Sequence, residues 1–354
     1  MNKQTIVLTG GGTAGHVTPH LVLLPDLKKY FSRIEYIGSK NGIEKRLAKE
    51  KDIPYHHITT CKFVRKKLLK NLLIPFRLAK GTHQAKKVLK QIRPSVVFSK
   101  GGFVSVPVVR AANKLKIPVI AHESDKSPGL ANRLNSKKCK VVFTTFKETA
   151  SKLKNGVHSG PPLAPPLQIS KVDAKSVLGK NKSLPLLLIT GGSSGAVALN
   201  KAIEKALPVL VQMFQVHHLT GKGNQTSFVH KNYYQQEFSN QMALLMRAAD
   251  FCITRGGSNT IFELANNQIP MLIVPLPKGN SRGDQEENAA YFSSKGLSKT
   301  LPQSNLSTES LVASLKDLQK EANKQKEKQS AFLSINANQI ITKALVETSQ
   351  SNHK

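Results

Sequence analysis

One pattern occurs twice in this chain and restricts its fold more than any other. An apolar run, Thr5-Ile-Val-Leu-Thr9, ends in Gly10-Gly-Gly-Thr-Ala-Gly15 and opens into a helical pattern from about Pro19 to Phe31. Leu184 to Thr190 likewise ends in Gly191-Gly-Ser-Ser-Gly195 and opens into a helical pattern from Ala196 to about Phe214. The repetition predicts two similar α/β units. Between the copies, short β-branched runs at 34–37, 95–98, 118–121 and 141–144 alternate with amphipathic segments. That alternation predicts parallel sheets with helices on both faces. Prolines 161, 162, 165 and 166 are incompatible with a helix interior or a central strand, so they predict a linker, and with it a cleft between two units. The expected organisation is a first domain over 1–160, a linker over 161–166, a second domain over 167–330, and a C-terminal helix and tail over 331–354 that could pack on either domain.

A third glycine turn narrows the chemistry. The run from Asp250 to Thr254 is followed by Gly256 and Gly257, then by helical apolar spacing at Ile261, Leu264 and Ala265. A strand, a glycine turn and a helix start gather backbone N–H groups and a positive helix end at one point, which suits a phosphate. Glu263 lies less than two turns into that helix, within reach of groups next to a docked phosphate. A carboxylate there suits paired ribose hydroxyls; a solvated helix charge is the plain alternative. Asp284, Gln285 and Asn288 are sugar-reading groups by type, and Gln285 could equally cap its helix. His16, directly after the first glycine turn, is an imidazole where a general base for an attacking hydroxyl would stand, or one that merely caps its own helix.

The formal net charge of +32 is unevenly distributed. Residues 1–160 hold 32 Lys and Arg against 8 acids, and no acid stands between Asp52 and Glu123. The first half is therefore the half expected to meet a polyanion, either an anionic bilayer surface or nucleic acid. Residues 62–93 carry eleven basic side chains and no acid, interleaved with Leu68, Leu72, Phe76 and other apolar residues. A basic rim formed by Lys66, Lys67 and Lys70 around exposed apolar side chains would dock on a membrane without spanning it. A helix with a solvated lysine face and a buried leucine face would carry the same pattern. No RNA- or DNA-binding signature accompanies it, so nucleic acid is not expected as a partner. Three widely spaced cysteines suggest a reducing, cytoplasmic setting. No apolar run approaches the roughly 18 residues of a membrane span, and the first strand leaves no room for a signal peptide.

Several chemistries fit poorly. The first turn lacks the lysine and spacing of a P-loop. A dinucleotide pattern can be placed on Gly10, Gly12 and Gly15, but Glu35 falls inside the next apolar run rather than at its end, leaving an NAD-dependent oxidoreductase as an alternative reading. No GxSxG elbow supports serine hydrolysis. No acid pair is spaced as a metal clamp, which predicts that helix ends neutralise a leaving phosphate with no obligatory protein-bound metal or other cofactor.

Five ordered stretches, GGGTAGHVTP at 10–19, SKGGFVSVP at 99–107, HESDKSPGLAN at 122–132, GGSSGAVALN at 191–200 and TRGGSNTIFELA at 254–265, together with RGDQEEN at 282–288, resemble the MurG family. These are the undecaprenyldiphospho-muramoylpentapeptide β-N-acetylglucosaminyltransferases. The resemblance covers nearly the whole chain. It implies a GT-B architecture, with two Rossmann-like domains whose parallel sheets face across a cleft. It also implies inverting transfer of N-acetylglucosamine from UDP-N-acetylglucosamine to the C4 hydroxyl of the muramoyl residue of lipid I, at the cytoplasmic face of the bacterial membrane. In that frame His16 looks like the general base, or the group that orients the acceptor hydroxyl. Thr13, Ala14, Gly15 and Ser193 look like phosphate-side contacts, and Ser258, Asn259 and Thr260 look like N–H donors to the diphosphate. Glu263 would hold the ribose, while Gln285 and Asp125 would read the N-acetylglucosamine. The family resemblance also favours membrane docking for residues 62–93. Four positions depart from the family pattern. Asp125 stands where asparagine is common, Ala164 where an arginine contacts the donor, Phe103 where tyrosine is common, and Ser239, between Phe238 and Met242 of a segment that borders the uracil, where an apolar residue is usual.

Overall fold

The computed structural model describes residues 4–61, 72–180, 184–192, 196–279 and 282–351. The chain divides into two units, Met1–Leu163 with Ile335–Lys354, and Ala164–Ser334.

In the first unit seven strands, β1 (Gln4–Thr9), β2 (Phe31–Ser39), β3 (Tyr55–Ile58), β4 (Val96–Ser99), β5 (Val119–Glu123), β6 (Val141–Thr144) and β7 (Gly156–His158), form one sheet in the order β3-β2-β1-β4-β5-β6-β7. All adjacent pairs are parallel. Helices α1 (Thr18–Tyr30), α2 (Ile43–Lys49), α3 (Ile74–Ile92), α4 (Ser105–Lys114), α5 (Leu130–Asn135) and α6 (Lys147–Ala150) make the crossovers. β4 and β5 are buried along their whole length, as expected of strands covered on both faces. One face packs Ile6, Leu8 and Phe98 against Leu23 and Leu27 of α1. The other packs Val7, Ile37 and Val97 against Ala85 and Leu89 of α3 and Val108 and Val109 of α4. α1 stops one residue earlier than its apolar pattern suggests. Phe31 already has extended backbone, although its N–H still donates to the Leu27 carbonyl.

The second unit repeats the plan with six strands: β8 (Leu186–Thr190), β9 (Gln215–Leu219), β10 (Tyr233–Gln236), β11 (Phe251–Thr254), β12 (Met271–Ile273) and β13 (Lys299–Thr300). Their order is β10-β9-β8-β11-β12-β13, again all parallel. Around it lie α7 (Lys171–Val177), α8 (Val197–Met213), α9 (Met242–Ala248), α10 (Ser258–Asn266), α11 (Asp284–Ser294), α12 (Thr308–Lys320) and α13 (Ala322–Phe332). Leu187, Ile189 and Ile253 of the sheet pack against Ile203, Leu207 and Leu210 of α8 and Leu311, Leu315 and Leu318 of α12.

The last helix, α14 (Ala337–Ser351), belongs with the first unit. Its Ala337, Ile341 and Leu345, one turn apart, join the core around Ile6 and Leu8. Asn338 ties it to the proline-rich segment: the Leu163 N–H donates to Asn338 Oδ1 at 3.1 Å, and Asn338 Nδ2 donates to the Leu163 carbonyl at 2.8 Å.

This strand order decides where chemistry belongs. The winding reverses between β1 and β4 in one sheet and between β8 and β11 in the other. Open parallel sheets bind ligands outside the carboxyl ends of strands at such a reversal. The described loop residues there are 10–15 and 100–104 in the first unit, and 191–192 and 255–257 in the second.

Candidate functional sites at the two strand-order reversals

In the first unit the two loops interlock backbone against backbone. A side chain on Gly102, which has φ +75°, would come within 2.4 Å of the Gly11 carbonyl, so only glycine fits there. The same added carbon would lie 3.4 Å from the His16 ring, which places that imidazole over the second loop. His16 closes a single 3-10 turn, Ala14–His16, with its N–H donating to the Thr13 carbonyl at 3.1 Å. Its Nδ1 lies 2.9 Å from Thr13 Oγ1. When Nδ1–H donates to that hydroxyl, the lone pair is on Nε2, the form a proton acceptor needs. Thr13 is exposed, while Ala14, Gly15 and His16 are half-buried.

Glu44, which the sequence reading did not single out, braces this turn. Its fully buried carboxylate accepts from the Gly12 N–H at 3.2 Å, the Ser39 N–H at 3.0 Å and Ser39 Oγ at 2.5 Å. Only the fold brings it to Gly12, thirty-two positions away; the one cue in the sequence is an acid at a helix start within a basic half. Glu35, by contrast, sits inside β2, where Arg33 and His56 engage its carboxylate. It is not at the strand end where a dinucleotide ribose would need it.

The SKGGF and HESDK stretches meet at the ends of β4 and β5. Lys100 is buried, with Nζ 2.5 Å from His122 Nδ1 and 2.6 Å from Ser124 Oγ. Glu123 accepts from the Asp125 N–H at 3.0 Å, the Gly129 N–H at 2.8 Å and Asn132 Nδ2 at 2.9 Å. Asp125 is half-buried on the loop these bonds hold. Burial and the neighbouring Lys100 charge hold His122 well below its ordinary pKa, so it is neutral.

In the second unit β11 ends at Thr254, and α10 begins at Ser258 after the glycine pair. Ser258 is buried, Asn259 and Thr260 are half-buried, and the first-turn N–H groups of such a helix face a docked anion. A side chain on Gly256 would come within 2.4 Å of the Gln285 carbonyl, which fixes the start of α11 against the start of α10. Gln285 is therefore brought beside Gly256. Its Oε1 accepts from the Leu276 N–H at 3.0 Å, and its Nε2 has no partner among the described residues. Asn288, read from sequence as a sugar contact, is instead fully buried and donates from Nδ2 to the Gly256 carbonyl at 3.0 Å. It holds the turn. Arg255, also not singled out, is buried with Nη1 donating to the Val274 carbonyl at 2.9 Å.

Glu263 is half-buried, and its carboxylate has no hydrogen-bond or ion-pair partner among the described residues. Burial alone pushes its carboxyl up to about 7. Ala164, the departure from the family arginine, is exposed, and its carbonyl accepts from Asn266 Nδ2 at 3.0 Å.

Ser193 lies outside the described residues, as do Lys66, Lys67, Leu68 and Lys70. The described end of that basic segment is apolar and open to solvent: Leu72 is 68% exposed and Phe76 74%. The buried face of α3 is made by Ala85, Leu89 and Ile92 instead, so a wholly buried leucine face does not describe its start. No helix among the described residues is long and apolar enough to cross a membrane.

Residues 6–144 match the glycosyltransferase family 28 N-terminal domain, and residues 186–344 match the glycosyltransferase family 28 C-terminal domain. A Clostridium botulinum protein named UDP-N-acetylglucosamine--N-acetylmuramyl-(pentapeptide) pyrophosphoryl-undecaprenol N-acetylglucosamine transferase is 44% identical over 324 residues, covering 90% of this chain and 90% of its own length. A Lachnoclostridium phytofermentans protein of the same name is 46% identical over 315 residues, covering 87% and 89%. The crystal structure of Acinetobacter baumannii MurG matches with a TM-score of 0.73 at 26% identity, covering 98% of this chain and 99% of that one. The chain belongs to the MurG family. A calicheamicin glycosyltransferase, 13% identical with a TM-score of 0.70 over the full length of both chains, shares the fold. The two parallel-sheet units are those of the GT-B class.

Proposed function

We propose that this protein transfers N-acetylglucosamine from UDP-N-acetylglucosamine to lipid I, the undecaprenyl-diphosphate-linked muramoyl pentapeptide, yielding lipid II and UDP in peptidoglycan synthesis. The observation that carries this reading is the near-full-length identity of 42–46% to relatives bearing that activity in their names. The acceptor's C4 hydroxyl oxygen attacks the anomeric carbon, and the bond from that carbon to the UDP oxygen breaks with inversion. The hydroxyl proton passes to His16 Nε2, with Thr13 Oγ1 orienting the ring through Nδ1. Negative charge developing on the diphosphate falls on the N–H groups at Ser258, Asn259 and Thr260, and on the turns at Thr13–Gly15 and Ser193. No protein-bound metal or other cofactor has a step in this scheme.

Glu263 accepts from the ribose hydroxyls, which favours its ionised form. Gln285 Nε2 donates to the acetamido sugar, and Asp125 accepts from it. The protein works at the cytoplasmic membrane surface: the first unit, where the positive charge is concentrated, holds the lipid diphosphate. Leu72 and Phe76, with Leu68, enter the interface among Lys66, Lys67 and Lys70. Support comes from the exposure of Leu72 and Phe76 beside that run of cations. The test is release of UDP from UDP-N-acetylglucosamine by purified protein, with and without a lipid I analogue. Release that requires the analogue supports the reading, and none in either condition overturns it.

A further inference from the structure

Lys100 raises a question that neither packing nor the glycine motifs answer. It follows the buried strand residues Val96-Val97-Phe98-Ser99, and its long side chain is 2% exposed. Burying an ammonium costs several kcal/mol unless partners repay it, and an apolar residue of similar volume usually serves stability as well or better. Burial pulls this amine down to about 7, against the opposing pull of the Glu123 and Asp125 carboxylates. A side chain so expensive to ionise is most simply understood through what its amine holds.

The hydrogen-bond directions can be assigned from the acceptors. His122 Nε2 lies 3.2 Å from the Gly160 carbonyl, which can only accept, so Nε2 carries the proton and Nδ1 is an acceptor. Lys100 Nζ therefore donates to His122 Nδ1 at 2.5 Å and to Ser124 Oγ at 2.6 Å. The chain Gly160–His122–Lys100–Ser124 thus runs from β7's end, across β5, to the residue before Asp125. The backbone of Lys100 is equally anchored, its N–H donating to the Thr9 carbonyl at 2.9 Å, next to the first glycine turn. The charged or titratable groups around it are His20 from α1, and His122, Glu123 and Asp125 from the end of β5.

We propose that Lys100 is a positioning residue of the transfer reaction, whose amine, clamped between His122 Nδ1 and Ser124 Oγ, fixes the loop presenting Asp125 to the sugar being transferred. The proposal rests on the reading of Asp125 as a sugar contact. Lys100 itself touches no substrate; the Glu123 bonds hold the loop backbone at Asp125 and Gly129, and losing the clamp at Ser124 would cost sugar recognition rather than nucleotide recognition.

The test uses the full-length protein and two substitutions. Lys100→Met keeps the volume and removes the amine. It is expected to lie within about 1–3 kcal/mol of wild-type stability and to bind UDP within about twofold of wild type, while losing about 10–100-fold in kcat/KM for UDP-N-acetylglucosamine. Lys100→Ala leaves space for a small amine, and ethylammonium is expected to restore part of the lost activity where 1-propanol does not. Wild-type kcat/KM in Lys100→Met, an equal loss of UDP binding, or a Lys100→Ala variant that ethylammonium restores no better than 1-propanol overturns the proposal. Absence of acceptor-dependent UDP release in the wild type would instead overturn the assigned reaction, so the two failures are distinguishable.

Discussion

Replacing Glu263 by Gln should make the ligand-free protein more stable while weakening its hold on the donor. Burial raises the Glu263 carboxyl from its ordinary 4.5 to about 7, with no partner among the described residues to offset the cost of ionising it. For an acid, a raised folded-state pKa means that the native state holds its proton more tightly than the unfolded chain does. The resulting penalty is absent below about 4.5, grows as the pH rises to about 7, and is constant above that. At about 1.4 kcal/mol for each pKa unit, the penalty is on the order of 3 kcal/mol at pH 8.5. Glutamine is similar in volume and helix propensity and does not ionise. For a unit of this size the gain corresponds to about 6–12 °C in melting temperature. Thermal unfolding followed by circular dichroism from pH 4.5 to 9 should show the Glu263→Gln advantage at pH 8.5 and its disappearance near pH 4.5. Calorimetric titration at pH 8 should show UDP-N-acetylglucosamine binding weakened about 10–100-fold, the loss of hydrogen bonds to a charged acceptor. In the wild type, affinity should fall as the pH drops below about 7, because the ribose hydroxyls need the ionised carboxylate. A variant no more stable than wild type at pH 8.5, or one with undiminished donor affinity, would refute the reasoning.

His16→Ala should lower kcat by about 10²–10⁴ with donor affinity unchanged, measured by steady-state turnover beside titration calorimetry; full turnover would remove the base assignment. Leu72→Ser combined with Phe76→Ser should reduce co-sedimentation with anionic phospholipid vesicles and leave UDP-N-acetylglucosamine binding intact. Both side chains are exposed, so protein stability should change by less than about 0.5 kcal/mol. Gly256→Ala forces a new carbon against the Gln285 carbonyl and should destabilise the second unit by about 1–3 kcal/mol in urea unfolding, with donor binding lost alongside.

What could be read from the sequence divides along physical lines. Glycine turns at strand ends announce themselves locally, so loops 10–15 and 255–257 were legible, and the β-branched runs became β4, β5 and β6 with small shifts of boundary. The partner of α14 was not legible, because the Ala337-Ile341-Leu345 stripe specifies an apolar face without naming what covers it. Side-chain amides were ambiguous for a related reason. Gln285 and Asn288 look alike in a linear pattern, yet one keeps its Nε2 available while the other is spent on the Gly256 carbonyl. Lys100 was hidden in the charge count: a chain rich in surface lysines gives no hint that one of them is buried on His122. Glu44 needed the fold itself, since β1 and α2 meet only when the sheet has formed.

The reaction remains the central claim, and acceptor-dependent release of UDP tests it most directly. Purified protein given UDP-N-acetylglucosamine and a lipid I analogue should release UDP in step with formation of the disaccharide lipid, with neither product appearing when the analogue is omitted. No release under those conditions, together with a melting temperature raised by NAD but not by UDP-N-acetylglucosamine, would contradict the account.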